Sequence, residues 1–250
     1  MSDVKEILDR FRNKDRRALA RLLSLAQRPV ESAVIRDAVG PPGAGRIVAF
    51  TGSGGVGKSS LIGRLTEHLR AKDVSVAVLA CDPQSPLTGG ALLGDRIRMS
   101  GPTDDPGLFI RSVATTAGHQ AVAENVDLMA QLLAEFGFDI VLLETVGAGQ
   151  GDVAVREVAD VLVLLVQPES GDDLQWEKAG LLEVADVVVV NKSDLPGADR
   201  VGAQLAEQFN LPGCRNVPVL KTSSAKNEGL EGLWDVVQSL PSQRTGVAEP

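Results

Sequence analysis

The chain has 250 residues and a net charge of −8; 44% of it is hydrophobic, 23% charged and 3% aromatic. That balance suits a globular protein with one large α/β domain and a small appendage. The acidic surplus opposes a nucleic-acid face, which needs Lys and Arg against phosphates, and with no Tyr a base-stacking platform is not expected.

Residues 3–38 read as two or three amphipathic helices. Val4, Ile7, Leu8 and Phe11 fall at i, i+3, i+4 and i+7 and line one face. A second helix spans roughly 14–27 with Leu19, Leu22, Leu23 and Ala26 inward, and Pro29 opens a short third, since proline suits a first turn. "GPPGAG" at 40–45 then breaks the pattern. The chain thus divides into a helical extension and linker (1–45), an α/β domain (46–240) and a frayed tail (241–250). The extension is expected to pack on the domain. The charged opening "MSDVKEILDRF" is unlike a signal peptide, and apolar runs such as "VLVLLV" are too short to span a bilayer. A cytoplasmic protein without a membrane partner is the expectation.

From Arg46 onward, apolar β-branched runs alternate with helical segments. The strands are "RIVAF", "SVAVLAC", "LFIRSVA", "DIVLLET", "DVLVLLVQ", "DVVVVN" and "VPVLKTS". They are hydrophobic almost throughout, as when helices cover both faces of a parallel sheet. Helices are expected near 57–71, 121–136, 152–158, 173–185, 199–209 and 228–240. The fold class is α/β: a doubly wound, mostly parallel P-loop NTPase sheet with a small N-terminal helical extension.

"GSGGVGKS" follows the first strand and opens a helix, which is the context a phosphate-binding loop requires. Its glycines let backbone N–H groups point at phosphate oxygens, and the helix N-terminus adds partial positive charge. The phosphate-side set is Gly52, Ser53, Gly54, Gly55, Val56, Gly57, Lys58, Ser59 and Ser60. Lys58 is expected to reach the β- and γ-phosphates and the Ser59 hydroxyl to bind Mg²⁺. A lysine just before the double glycine would mark the ParA and MinD ATPases; Ser53 stands there instead.

"CDPQSPLTGGALLGDRIRM" (81–99) comes next and holds Asp82 and Asp95 around a Gly89–Gly90 hinge. It reads as a segment whose shape follows the γ-phosphate. Glu144 ends the strand "DIVLLE", where P-loop proteins place an acid that supports Mg²⁺. Asp82, Asp95, Glu144 and Ser59 are the candidate metal residues. They are too many to bind one Mg²⁺ directly beside two phosphates, so some act through water or in one nucleotide state. Gln150, in "TVGAGQGD", is the nearby side chain suited to positioning an attacking water.

"NKSD" follows the strand "ADVVVV" and matches a guanine reader. Asp194 can accept from N1–H and the exocyclic amine of guanine, a donor pair that adenine lacks. The Lys192 stem can lie along the purine, and Asn191 can brace the loop. "SSAK" follows a later strand; there Ser224, Ala225 and Lys226 form a second base loop, with the Ala225 amide facing O6. GTP and GDP are the expected ligands. Cys81, Cys214, His68 and His119 fall into no metal-ligand spacing.

The series P-loop, "CDPQSPLTGGALLGDRIRM", "ETVGAGQGD", "GDDLQWEKAGLLEVADVVVVNKSD" and "SSAKNEGL" resembles the MeaB/ArgK GTPases. These are G-protein chaperones of methylmalonyl-CoA mutase and related adenosylcobalamin-dependent acyl-CoA mutases. The resemblance runs over roughly residues 15–240, and the D-P-x-S-P-x-x-G-G-x-x-L-G-D-[RK]-x-R-M run carries it most specifically. It implies a GTP-hydrolysing chaperone that docks on mutase subunits, gates adenosylcobalamin delivery from an adenosyltransferase and guards against damaged cofactor. It also implies that Asp82, Asp95 and Glu144 surround Mg²⁺, and that Lys178, in "SGDDLQWEK", couples the partner to hydrolysis. Hydrolysis is expected to be slow without the partner.

Two departures stand out. Stand-alone family members carry a longer C-terminal dimerisation arm, so the usual homodimer does not carry over directly and the chain looks more like the G-domain of a fused mutase. "RSVATTAG" keeps the place but not the text of the family's Ser- and Gly-rich run, which suggests a partner other than the standard methylmalonyl enzyme. Two rivals share the fold class. A metallochaperone GTPase of the hydrogenase or urease maturation type needs Cys and His ligands near the switches. A small-molecule kinase usually reads adenine, which "NKSD" opposes.

Overall fold

The computed structural model describes residues 2–40, 44–83, 105–115, 122–146, 155–168, 179–211, 213 and 215–242. Among them the helical extension consists of α1 (Ser2–Arg12), α2 (Arg16–Leu25) and α3 (Pro29–Ala38). Asp15 caps α2, its side chain accepting from the amides of Arg17 and Ala18. The α/β part then runs β1 (Arg46–Thr51), α4 (Lys58–Arg70), β2 (Val76–Pro83), β3 (Leu108–Thr115), α5 (Val126–Phe136), β4 (Ile140–Glu144), β5 (Val161–Val166), α6 (Ala179–Val184), β6 (Val187–Val190), α7 (Ala198–Phe209), β7 (Val219–Lys221) and α8 (Leu230–Ser239).

The seven strands form one sheet in the order β3-β2-β4-β1-β5-β6-β7, and every strand pair is parallel. The chain grows outward from β1 in one direction through β2 and β3, then in the other from β5 to β7. This reversal next to β1 is where open α/β sheets place their ligand crevice. The register aligns the C-terminal ends: Phe50 lies beside Glu144, Ala80 beside Glu144, and Val166 beside Val190.

Alternate strand residues enter opposite layers. Ile47, Ala49, Leu79 and Leu143 meet Leu19, Leu22 and Leu23 of the extension and α5. Val48, Phe50, Val78 and Leu142 meet Leu61, Ile62 and Leu65 of α4 and Trp234 of α8. Leu19, Leu22 and Leu23 are fully buried, each contributing about 1.5–3 kcal/mol of apolar burial. The extension is therefore built into the core, as its apolar stripe requires. Polar contacts fix its orientation: Arg36 pairs with Asp127 at 2.6 Å, and Lys14 donates to the last carbonyls of α5, at Glu135 and Phe136.

Two helices differ from expectation. The segment near 121–136 becomes helical only at Val126, because Asn125 adopts a left-handed φ of 56° just before it. Where a helix is expected near 152–158, the described residues 155–157 form a single 3₁₀ turn. No described helix is long and apolar enough to cross a membrane.

At the N-terminal edge of the sheet one device recurs. The residue just before β4, β5 and β6 is Asp139, Asp160 and Asp186 in turn. Asp139 accepts from the Ser75 amide (2.8 Å) and hydroxyl (2.6 Å). Asp160 accepts from the Ile47 amide at 2.7 Å and also from the Ser242 hydroxyl. Asp186 accepts from the Leu162 amide at 2.8 Å and from Arg156 and Arg215 at 2.8 and 3.2 Å. Each carboxylate holds a backbone amide at or just ahead of the start of a parallel neighbour.

Candidate functional site

The site is built on the opposite edge. β1 ends at Thr51, and the loop Gly52–Gly57 turns into α4. Gly57 sits at φ +95°, and a Cβ there would stand 2.5 Å from the Asn191 amide nitrogen. Gly52 has φ +143°, and its Cβ would run into the Leu165 carbonyl. Both positions need glycine for conformation and for close approach. Lys58 opens α4 and is 7% exposed; its ammonium donates to the carbonyls of Gly52 at 2.9 Å and Ser53 at 3.2 Å. The lysine therefore lies within the loop.

At the next residue, the Ser59 hydroxyl donates to Glu144 Oε1 at 2.6 Å. Glu144 and Asp82 are both buried, at the ends of β4 and β2. A hydroxyl and two carboxylates at the end of neighbouring strands are hard oxygen donors, the set that suits Mg²⁺. Among the described residues no three His, Cys, Asp or Glu side chains gather into a metal cluster. Cys81 precedes Asp82, and burial pushes its thiol up to about 12. It stays protonated near neutral pH and is a poor soft-metal ligand or nucleophile.

The base side is assembled from two loops. Asn191, 1% exposed, donates to the Val56 carbonyl at 2.9 Å and accepts from the Thr222 hydroxyl at 3.0 Å. One amide side chain thus joins the phosphate loop to the loop after β7. Lys192 has a left-handed φ of 56°, and its ammonium donates to Gln167 Oε1 at 2.8 Å. Asp194 Oδ1 accepts from the Ser223 hydroxyl at 2.5 Å. That bond holds the Asp194 carboxyl below its ordinary value. Ser223 also accepts from the Lys226 amide at 3.2 Å and exchanges backbone bonds with Glu228. Between these loops and α4 lies a cavity of about 550 Å³, lined by Gly57, Ser60, Arg64, Asn191, Lys192, Asp194, Ser224 and Ala225 among others. Its size fits a small-molecule ligand.

The model of the family described as "Methylmalonyl Co-A mutase-associated GTPase MeaB" matches residues 19–247. The chain belongs to this family. A Pyrococcus abyssi relative named as a GTPase is 40% identical over 243 residues, covering 94% of this chain and 75% of its own. A fused isobutyryl-CoA mutase of Nocardia farcinica is 38% identical over 244 residues, covering 92% of this chain and 23% of the mutase. The crystal structure of a protein called LAO/AO transport system kinase superposes with a TM-score of 0.71 at 23% identity, covering 95% of this chain and 74% of that one; this likeness speaks for the fold alone. The MeaB-family chain is a P-loop GTPase that binds guanine nucleotides.

For this MeaB-family member, Ser59 meets Glu144, with Lys58 and Asp82 buried at the start of α4 and the end of β2, while Asn191, Lys192, Asp194, Ser224 and Ala225 line the cavity and the Lys226 amide binds Ser223. Asp95, Gln150 and Lys178 lie outside the described residues, as does most of the 81–99 stretch. Sequence reasoning missed Gln167, Thr222 and Arg64. Gln167 directly follows β5 and Thr222 directly follows β7, at the edge where function concentrates, so position alone could have drawn notice to them.

Proposed function

We propose that the chain is a GTP-driven chaperone that docks on an adenosylcobalamin-dependent acyl-CoA mutase and gates loading and protection of its cofactor. The observation that carries this is the alignment of 92% of the chain with a segment of a fused isobutyryl-CoA mutase. A domain that is covalently joined to a mutase in one protein is a natural docking partner in another. The mutase, an adenosyltransferase donor and a cytoplasmic setting belong to this proposal.

The phosphate loop from Gly52 to Ser60 cradles the phosphates through its amides, and Lys58, whose ammonium donates to the Gly52 and Ser53 carbonyls of that loop, turns to the β- and γ-phosphates. Ser59 and Glu144, already joined by a hydrogen bond, would hold Mg²⁺, with Asp82 and Asp95 as the further acids of its surroundings. When bound, the cation neutralises charge on the β- and γ-phosphates. Asp194 accepts from N1–H and the amine of guanine, the Ala225 amide donates to O6, and the Lys192 stem covers one face of the ring. Asn191 ties these base contacts to the phosphate loop, so both ends of the nucleotide are read by one connected structure. Gln150 orients the attacking water. Lys178 couples mutase contact to hydrolysis, which is slow without the partner.

The test uses the full chain bound to GDP or to a non-hydrolysable GTP analogue, with a purified adenosylcobalamin-dependent isobutyryl-CoA mutase. Binding that differs between the two nucleotide states, together with nucleotide-dependent cofactor uptake, is the expected result. No mutase binding in either state overturns the proposal and leaves the GTPase assignment intact.

A further inference from the structure

Arg64 lies on α4 six residues after Lys58, ~9 Å along the helix axis at 1.5 Å per residue. Its Nε donates to the Ser224 carbonyl at 3.3 Å, and its Nη1 donates to Glu67 Oε2 at 2.9 Å. Arg64 and Glu67 both line the 550 Å³ cavity that holds Asp194 and Ala225. The i,i+3 pairing with Glu67 restricts the guanidinium and leaves Nε aimed at the loop.

The Ser224 carbonyl and the Ala225 amide belong to one peptide unit. In a planar trans peptide the C=O and N–H point in opposite directions, so fixing the carbonyl fixes the amide. A cationic donor on the carbonyl also polarises the unit and makes its N–H a stronger donor. The other tethers of this loop act elsewhere. Thr222 is held by Asn191, Ser223 by Asp194 and Glu228, and the Ser224 hydroxyl reaches Asn191 only at 3.5 Å.

We propose that Arg64, oriented by Glu67, is a positioning residue for base specificity. It aims and polarises the Ser224–Ala225 peptide so that the Ala225 amide reads the 6-oxo group of the purine. One helix then sets both ends of the site, with Lys58 on the phosphates and Arg64 on the base loop. This rests on the base-reading roles given above to Asp194 and Ala225.

The experiment measures dissociation constants of the full-length chain for GDP, inosine diphosphate and 6-thio-GDP. IDP keeps the 6-oxo group and loses the amine; 6-thio-GDP replaces the oxygen with a weakly accepting sulfur. Arg64→Ala should weaken GDP and IDP alike by about fivefold, the equivalent of one ordinary hydrogen bond. It should weaken 6-thio-GDP by less than about twofold. Arg64→Lys, which can still donate to the same carbonyl, should recover part of the loss for GDP and IDP. Equal weakening of all three ligands, or no weakening, overturns the proposal while wild-type selectivity keeps the base reader standing. If the wild type binds ADP as well as GDP, the base reader itself fails and the role of Arg64 falls with it.

Discussion

The two edges of the sheet carry acids to opposite ends. At the N-terminal edge, Asp139, Asp160 and Asp186 accept from backbone amides of neighbouring chain segments. At the C-terminal edge, Glu144 meets the Ser59 hydroxyl in the first turn of α4, and Asp194 meets the Ser223 hydroxyl on the loop after β7. The Ile47 and Leu162 amides are buried, and losing their acceptor leaves a polar group unsatisfied, whereas the Ser75 amide is open to solvent. The hydroxyl partners can turn to a ligand at little cost. Acids of one kind therefore serve the fold below and ligand recognition above. Substitutions should separate the two edges cleanly, with stability failing below and activity above.

The largest effect is expected at the upper edge. Lys58→Ala should lower GTP turnover by about 10²- to 10³-fold or more, since a preorganised charge on the transferring group is lost. Removing a buried ammonium leaves no unsatisfied partner that the loop cannot satisfy with water, so the melting temperature should hold. Steady-state phosphate release and a thermal melt check both halves. Near-normal turnover would remove Lys58 from the site; a large fall in melting temperature would erase the distinction between the edges.

Asp194→Asn comes next. Two hydrogen bonds to a charged acceptor are at stake, each about 1.5–3 kcal/mol. Replacing the carboxylate should relax guanine preference by about 10²-fold, equivalent to about 3 kcal/mol. Competition between GDP and ADP or IDP measures it. An unchanged preference would assign base reading to another residue.

The lower edge should answer in the other currency. Asp186 is 6% exposed and binds a backbone amide and two arginines. Burial draws the Arg156 pKa down, and the Asp186 carboxylate opposes that shift. Asp186→Ala should cost about 3 kcal/mol, the scale for breaking a buried charge pair. For a chain of this size that lowers the melting temperature by roughly 6–12 °C. GTP turnover below the transition should stay within about twofold of wild type, because the N-terminal strand edge is remote from the cleft. Lost turnover in a folded variant would show that the edges are coupled.

Much of this division was written in the sequence. Seven hydrophobic runs gave seven parallel strands, since strands buried on both faces leave an unbroken apolar text. The phosphate loop and "NKSD" announced themselves because their chemistry depends on residues close together in the chain. Arg64 and Gln167 did not. Each acts on a residue far away in sequence, Ser224 and Lys192, and only the sheet order brings them together. Of the helix expected near 152–158, residues 152–154 lie outside the described residues, and 155–157 form a 3₁₀ turn; a helical pattern over so few residues is weak. The aspartate before each of three strands was plain in "DIVLLE", "DVLVLLV" and "DVVVV", but the amide it accepts from belongs to another strand or its approach.

The smallest effect sharpens the contrast most finely, because it tests an exposed member of the lower edge. Asp139 is exposed, and its bonds to the Ser75 hydroxyl and amide hold its carboxyl below the ordinary value of 3.8. Asp139→Asn should cost less than about 1 kcal/mol, since solvent competes for both bonds. The sign of its pH dependence follows from linkage. A carboxylate with a depressed folded pKa stabilises the native state fully above its unfolded pKa and loses that contribution as pH falls through the folded one. The stability gap between wild type and Asp139→Asn should therefore be constant from neutral pH down to about pH 5 and close below pH 3.8, as wild-type Asp139 takes up its proton. Denaturant melts across that range read the gap directly. A gap that persists once the carboxyl is protonated would mean that the shape of Asp139, rather than its charge, holds Ser75, and the lower edge would then be a hydrogen-bond template indifferent to ionisation.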